Sequence, residues 1–269
     1  MKKANFFICY LVVGLIALVS CGDADPRQPA GRIAEIQERG YLLVGTTGDY
    51  RPLSYREPET GNYWGFDVDL SAIIADEIGV ETRYVTTSWP TLSADMQAVP
   101  HRFDIALCGI TITDARKETM LMSEGYLANG KTILCRKADT CKFRSLADIN
   151  RPEVRVMVNP GGLNEKFARE NLKDAQLIVH PRNEEIPARI AEGEADVMIT
   201  EIVEAPYYVR EDTRLAAPLV RTPFTQGQIG VLMRGDEQEL LERINSIIKR
   251  CEEDGTLRRL REKYGFVTN

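Results

Sequence analysis

What most constrains this chain is a repeated alternation of short apolar strands and helices through its first half. Arg32 to Gly40 has helical spacing and ends at a glycine, and Tyr41-Leu-Leu-Val-Gly45 follows as a short buried strand. Gly65-Phe-Asp-Val-Asp-Leu70 opens a second helix, with Ile73, Ile74 and Ile78 spaced along it and a stop at Gly79. Val80 to Thr86 is the next strand, Ser88-Trp-Pro-Thr-Leu92 starts another helix, and Phe103 to Leu107 is a third strand. A βαβαβ succession implies a parallel sheet covered by helices on both faces. Ligands in such sheets bind at the C-terminal ends of the strands, so the loop Thr46-Thr-Gly-Asp-Tyr50 is a candidate binding loop.

A second strand-to-helix junction lies further on. Val154 to Val158 is apolar, Asn159-Pro-Gly-Gly162 is a turn, and Leu163 to Leu172 reads as a helix. Glycine lets the backbone approach a ligand closely, and the first N–H groups of a helix have no intrahelical partners, so Gly161 and Gly162 suit an anion such as a carboxylate. Glu165 falls in the first turn, within reach of anything held there, and could donate or accept a proton. The plainer reading is a tight βα turn followed by an ordinary acidic residue at a helix start.

At the N-terminus, Lys2 and Lys3 precede an apolar run from Phe6 to Val19 and then Ser20-Cys21-Gly22. Residues 1–20 read as a signal peptide. Leu18-Val19-Ser20-Cys21 resembles a bacterial lipobox, which implies a lipid on Cys21, a tether over residues 21–31 and an exported protein held at the cell envelope. The lipid anchor is the only membrane attachment expected, because no later stretch is apolar enough to span a bilayer. The net charge of −6 makes nucleic acid an unsuitable partner. His101 and His180 are the only histidines and have no partner at ligand spacing, so neither a metal site nor a Ser-His-acid triad is expected, and no cofactor is called for. Beyond Cys9 and Cys21 there remain Cys108, Cys135, Cys141 and Cys251. Cys135 and Cys141 flank a polar stretch and could form a disulfide in an oxidising compartment or stay as two free thiols.

Gly65-Phe66-Asp67-Val68-Asp69-Leu70 with Ile74-Ala75 and Ile78 resembles the signature of the family 3 bacterial extracellular solute-binding proteins. So do Phe103-Asp104-Ile105, Gly109-Ile-Thr-Ile-Thr113 with Arg116, Gly125-Tyr126 and Leu257 to Gly265. The resemblance spans essentially the whole mature chain. It implies an α/β, two-lobed periplasmic-binding-protein-like (type II) fold, with two parallel-sheet lobes joined by two crossing strands and the ligand trapped between them. Crossings are expected near Lys131 to Arg136 and Ala217 to Phe224. Lobe 1 is then residues 32–130 plus 225–266, and lobe 2 residues 131–224. The family also implies a ligand carboxylate on Arg116 and on the backbone from Gly109 to Thr111, with Glu201 after Thr200 as the acid facing an α-ammonium. A planar guanidinium offers two parallel donors to a carboxylate.

Other segments resemble one offshoot, the cyclohexadienyl (prephenate/arogenate) dehydratases. These are Gly45 to Tyr50, Thr87-Ser-Trp-Pro90, Tyr126-Leu127 with Gly130-Lys-Thr132, and Asn159-Pro-Gly-Gly followed by Asn164-Glu-Lys-Phe-Ala-Arg169. Leu163, Glu201 and Glu124-Gly125 depart from that pattern. The resemblance implies prephenate or arogenate as a carboxylate-bearing substrate, whose loss of ring hydroxyl and ring carboxylate is driven by aromatisation. Glu165 is then the general acid, with desolvation expected to raise its pKa against the helix start. Tyr50 and Trp89 would wall the ring, Lys131 and Arg116 supply positive charge, and Gly161, Gly162, Asn164 and Glu201 complete the substrate contacts. Trp89 could equally be packed core and Lys131 a solvated residue. The alternative function is an amino-acid receptor that delivers its ligand to an ABC permease.

Overall fold

The computed structural model describes residues 31–266, in which Gly31 onward forms one compact unit. The expected signal peptide, Cys21 and nearly all of the tether lie outside the described residues. The first helix, Arg32–Arg39, closes on Gly40 at φ +79°, whose N–H caps the carbonyls of Ile36 and Gln37. Strand Tyr41–Thr46 then pairs in parallel with Glu81–Thr86 on one side and Ile105–Ala106 on the other. Leu232–Arg234 and Met120–Met122 extend this sheet in antiparallel fashion. The sheet is therefore mixed rather than wholly parallel, because Leu232–Arg234 re-enters it from the other lobe instead of through a βαβ crossover.

A second five-stranded sheet repeats the arrangement. Arg155–Val158 is flanked in parallel by Gln176–Val179 and Val197–Glu201; Lys131–Arg136 pairs antiparallel with Val197–Glu201, and Leu215–Ala216 closes that edge antiparallel to Lys131–Arg136. Side chains alternate between two cores here: Ile133, Val156, Val158, Val197 and Ile199 pack on one face, and Leu134, Met157 and Met198 pack with Ile186 and Ile190 on the other. In the first sheet Val44 and Ile105 meet the helices Phe66–Ile78 and Gln238–Glu253, while Ala106 and Leu232 face Leu92, Met96 and Phe103.

Between the sheets the chain passes twice, through Leu127–Asn129 and Gly227–Ile229, which pair antiparallel. The crossings thus differ from the expected segments: Lys131–Arg136 is already a fully integrated strand of the second sheet, and Ala217 to Phe224 precedes the return. Ladder pairing explains the difference, since two adjacent connecting segments satisfy each other's backbone groups where no sheet is present to do so. The apolar run Gln228 to Met233 is divided at Gly230–Val231 for the same reason, its first part serving the crossing and its second the first sheet. Cys135 is wholly buried in its strand and Cys141 is exposed; both are free.

Candidate functional site

The C-terminal edges of both sheets face one interlobe pocket with about 340 Å³ of empty space, part of it open to solvent. Tyr50, Trp89, Gly109, Thr111 and Arg116 line it from the first lobe, and Lys131, Gly162, Asn164 and Glu201 from the second. Nine of the eleven residues expected to contact substrate or act on it therefore converge on one space. Gly161 and Glu165 are the other two. They line a shallow neighbouring recess that shares Gly162 with the pocket.

Glu201 organises the floor. It lies opposite Lys131 in the antiparallel register, and the Lys131 ammonium donates to Glu201 Oε1 at 2.6 Å and to Asn164 Oδ1 at 2.6 Å. Thr111 Oγ1 donates to the same Oε1 at 3.3 Å, and the Tyr50 hydroxyl donates to Oε2 from the other lobe. Burial pushes the Glu201 carboxyl up, but the Lys131 charge and hydrogen bond, with Tyr50, outweigh it and hold the pKa below the usual range. Lys131 is only 7 % exposed, so the reading of a solvated lysine does not hold. A further interlobe contact runs from Asn183 Nδ2 to the Asp49 carbonyl at 3.2 Å.

The aromatic wall takes a specific form. Tyr50 and Trp89 meet edge to face, with ring centroids 5.8 Å apart, and Trp89 Nε1 donates to Asp49 Oδ1 at 3.2 Å. Trp89 both lines the pocket and packs on the first-lobe core, so its two expected roles are combined. Arg116 donates to the Thr111 carbonyl at 2.5 Å, and desolvation lowers its pKa against the opposing charge of Glu201.

Two expectations are corrected. The N–H of Gly109 donates to Asp67 Oδ2 at 2.6 Å, so it is not free for a ligand carboxylate. Gly109 serves instead through close approach: at φ +77°, a Cβ there would sit 2.3 Å from the Tyr50 ring. Asp67, fully buried, is pushed up to about 7 by desolvation against its bonds from Gly109 and Tyr126. The second correction concerns Glu165, whose pKa is lowered rather than raised. Its Oε2 accepts from the Gly161 N–H at 2.7 Å, and Arg169, one turn along the helix Leu163–Asn171, pairs with Oε1 at 2.7 Å. Desolvation raises the carboxyl by less than these two partners lower it, because the side chain turns back over the glycine turn.

Three pocket residues were missed in the sequence: Asn159, Leu163 as a lining side chain, and Asn183. Asn159 begins the recognised turn and was within reach of the motif. Asn183 stands in a polar segment with no spacing signal, and its bonds to Glu204 Oε1, 2.7 Å, and to the Asp49 carbonyl give it a place. Glu204 itself is wholly buried behind the floor and pushed up to about 8 by desolvation. No cluster of side chains among the described residues is suited to a metal ion.

Residues 42–267 match the family model for bacterial extracellular solute-binding proteins, family 3, and the chain belongs to that family. Within it, the chain is 38% identical to the cyclohexadienyl dehydratase of Pseudomonas aeruginosa, over 95% of this chain and 94% of that one. Among solved structures, an ancestral cyclohexadienyl dehydratase is 50% identical, with a TM-score of 0.55, over 88% of this chain and 97% of its own. The ancestral amino acid-binding protein AncCDT-1, described as a precursor of cyclohexadienyl dehydratase, aligns with a TM-score of 0.79 at 35% identity, over 86% and 98% of the two chains.

Proposed function

We propose that this protein is an exported cyclohexadienyl dehydratase, converting prephenate to phenylpyruvate, arogenate to phenylalanine, or both. The observation that carries the reading is the charge of the pocket: Arg116 and Lys131 face a single lining acid, Glu201, leaving a net positive site beside an aromatic wall. A ring that bears one carboxylate and carries another on its side chain suits that excess, with Arg116 free to clamp one carboxylate and the helix start at Gly162 to Asn164 available for the other. The full-length likeness to a dehydratase supports the same reading.

The chemistry asks for one proton and fixed carboxylates. The acid protonates the ring hydroxyl, the C–O bond breaks and water leaves, and the electron pair of the ring–carboxylate bond enters the ring as carbon dioxide departs. Glu165 is our acid. Gly162 and Glu165 are three residues apart on the first helical turn and so lie on one face, which puts Glu165 beside any carboxylate bound at the helix start. Such a carboxylate would raise the Glu165 pKa by like-charge repulsion once the side chain leaves Gly161 and Arg169. Glu201 is favoured as an alternative acid by its place inside the pocket, although Lys131 holds it ionised.

The second functional reading, an amino-acid receptor for an ABC permease, draws on AncCDT-1. Incubating purified protein with prephenate and measuring phenylpyruvate decides between them. Turnover selects the dehydratase; tight binding of a free amino acid without turnover selects the receptor.

A further inference from the structure

Two segments connect the lobes, and one of them carries a polar side chain to the edge of the site. Asn129 ends the crossing strand Leu127–Asn129, lies opposite Gly227 of the returning strand, and is only 3 % exposed. Its Nδ2 donates to Thr111 Oγ1 at 3.1 Å. A hydroxyl has one proton, so an oxygen that already accepts from an amide gives that proton elsewhere, and Thr111 Oγ1 donates it to Glu201 Oε1 at 3.3 Å. The network assigns the amide this way round: reversed, its oxygen would take the Thr111 proton and Glu201 would lose this donor. Asn129 thereby directs a chain that starts on a crossing strand, passes through a first-lobe residue and ends on a second-lobe carboxylate.

The rest of Thr111 is held by the same connection. Its backbone bridges to Ile229 of the returning strand, and the Ile112 N–H donates to the Gln228 carbonyl at 2.8 Å. Gly227 lies against its methyl group, since a Cβ there would sit 3.4 Å from Thr111 Cγ2. Asn129 Oδ1 is meanwhile buried without a partner, so the amide is oriented by what its N–H reaches rather than by a bond to its oxygen. We infer that Asn129 is a positioning residue through which the interlobe connection aims the Thr111 hydroxyl at Glu201, so that the floor carboxylate is fully held only when both lobes and the crossing strands are in this closed arrangement. The inference goes beyond the dehydratase reading, because it concerns how the site is assembled and not what it turns over. Lys131, Tyr50, Arg116 and Glu204 also act on the Glu201 carboxyl. They are common to every variant below, so a change in its titration reports on the Asn129–Thr111 link.

The test follows the titration of the Glu201 carboxyl by NMR in purified protein carrying 13C on its glutamate carboxyls, the signal being assigned by its loss in Glu201→Gln. A donated hydrogen bond favours the ionised form, so breaking the link should raise the midpoint. Thr111→Val and Asn129→Ala should each raise it by about half a pH unit or more. Asn129→Asp has the same shape but captures the hydroxyl proton and adds a like charge, so it should raise the midpoint by about one unit or more. In a Thr111→Val background, Asn129→Ala should have less than half of its effect in the unaltered protein, because the route is gone; the remainder is the direct influence of the amide on Glu201. Asn129→Leu, which fills the same space, replaces the Ala variant if that does not fold. A midpoint unchanged in both Asn129→Ala and Asn129→Asp, or an equal Asn129→Ala shift in the two backgrounds, overturns the inference whatever the turnover. Prephenate turnover is measured alongside. The expected shifts in a protein that does not turn over prephenate sustain the inference and remove the dehydratase; turnover without the shifts does the reverse.

Discussion

The carboxylate of Glu165 accepts the N–H of Gly161 at 2.7 Å, so the acid nearest the helix start caps the glycine turn that precedes it. That bond and the Arg169 ion pair hold Glu165 in its charged form and below the usual carboxylate range, the opposite of what a proton donor needs. The side chain must therefore exchange Gly161 for the substrate before it can act, and the arriving anion supplies the reason to exchange.

Glu165→Gln should lose about 10²–10⁴-fold in dehydration rate while keeping substrate affinity, since Gln preserves shape but delivers no proton. Activity should fall as pH rises through the Glu165 pKa in the complex. Arg169→Gln removes a charge that favours the carboxylate, so the falling limb should move to higher pH. A wild-type rate in Glu165→Gln together with loss of rate in Glu201→Gln would transfer the role of acid to Glu201.

Arg116 is the guanidinium in the pocket whose own partner is a backbone carbonyl rather than a carboxylate. Arg116→Ala should abolish binding of a carboxylate ligand, at a cost of about 3–5 kcal/mol for a charge pair made in a closed cleft. Arg116→Lys should restore only part of it, because an ammonium lacks the planar fork. Affinity unchanged in a folded Arg116→Ala protein would place the clamp elsewhere.

Glu204 and Asp67 link stability to pH. Burial raises both carboxyls, to about 8 and about 7 in the fold, from 4.5 and 3.8. The folded state therefore binds more protons than the unfolded chain between roughly pH 4 and pH 8, and stability contributed by the protonated forms is present at low pH and falls as pH rises through that window. Glu204→Gln should flatten the pH dependence of Tm on its upper side, above about pH 5. A Tm that rises across the same window in the unaltered protein, with Glu204→Gln making no difference, would contradict the assignment.

The Leu18-Val19-Ser20-Cys21 run leads to a prediction independent of the fold. Cys21→Ser should release the protein from the membrane fraction, because a diacylglyceryl group with an N-acyl chain buries enough methylene groups for stable attachment. Unaltered protein that is already free in the envelope fraction and carries no lipid mass would rule the anchor out.

Much of the lobe architecture was legible in the chain because strand and helix periods are local properties. Phe66–Ile78 follows directly from helically spaced apolar residues ended by Gly79, Tyr41–Thr46 and Glu81–Thr86 from short runs of strand-forming residues, and the sequence order of these elements restricts how they can pack. Residue type likewise marked Arg116, Trp89 and Asn164 as site candidates through the motifs that contain them. The pairing of Lys131 with Glu201 could not be read this way, since the two are 70 positions apart and meet only because their strands align in antiparallel register. The direction of the Glu165 side chain was equally out of reach: helix spacing places its Cα, but Gly161 and Arg169 each take one oxygen of its carboxylate, and together these contacts set its charge state. Sequence determined which elements form and which chemical groups are present; only the tertiary structure decided which charges face each other, because burial and register act between segments distant in the chain.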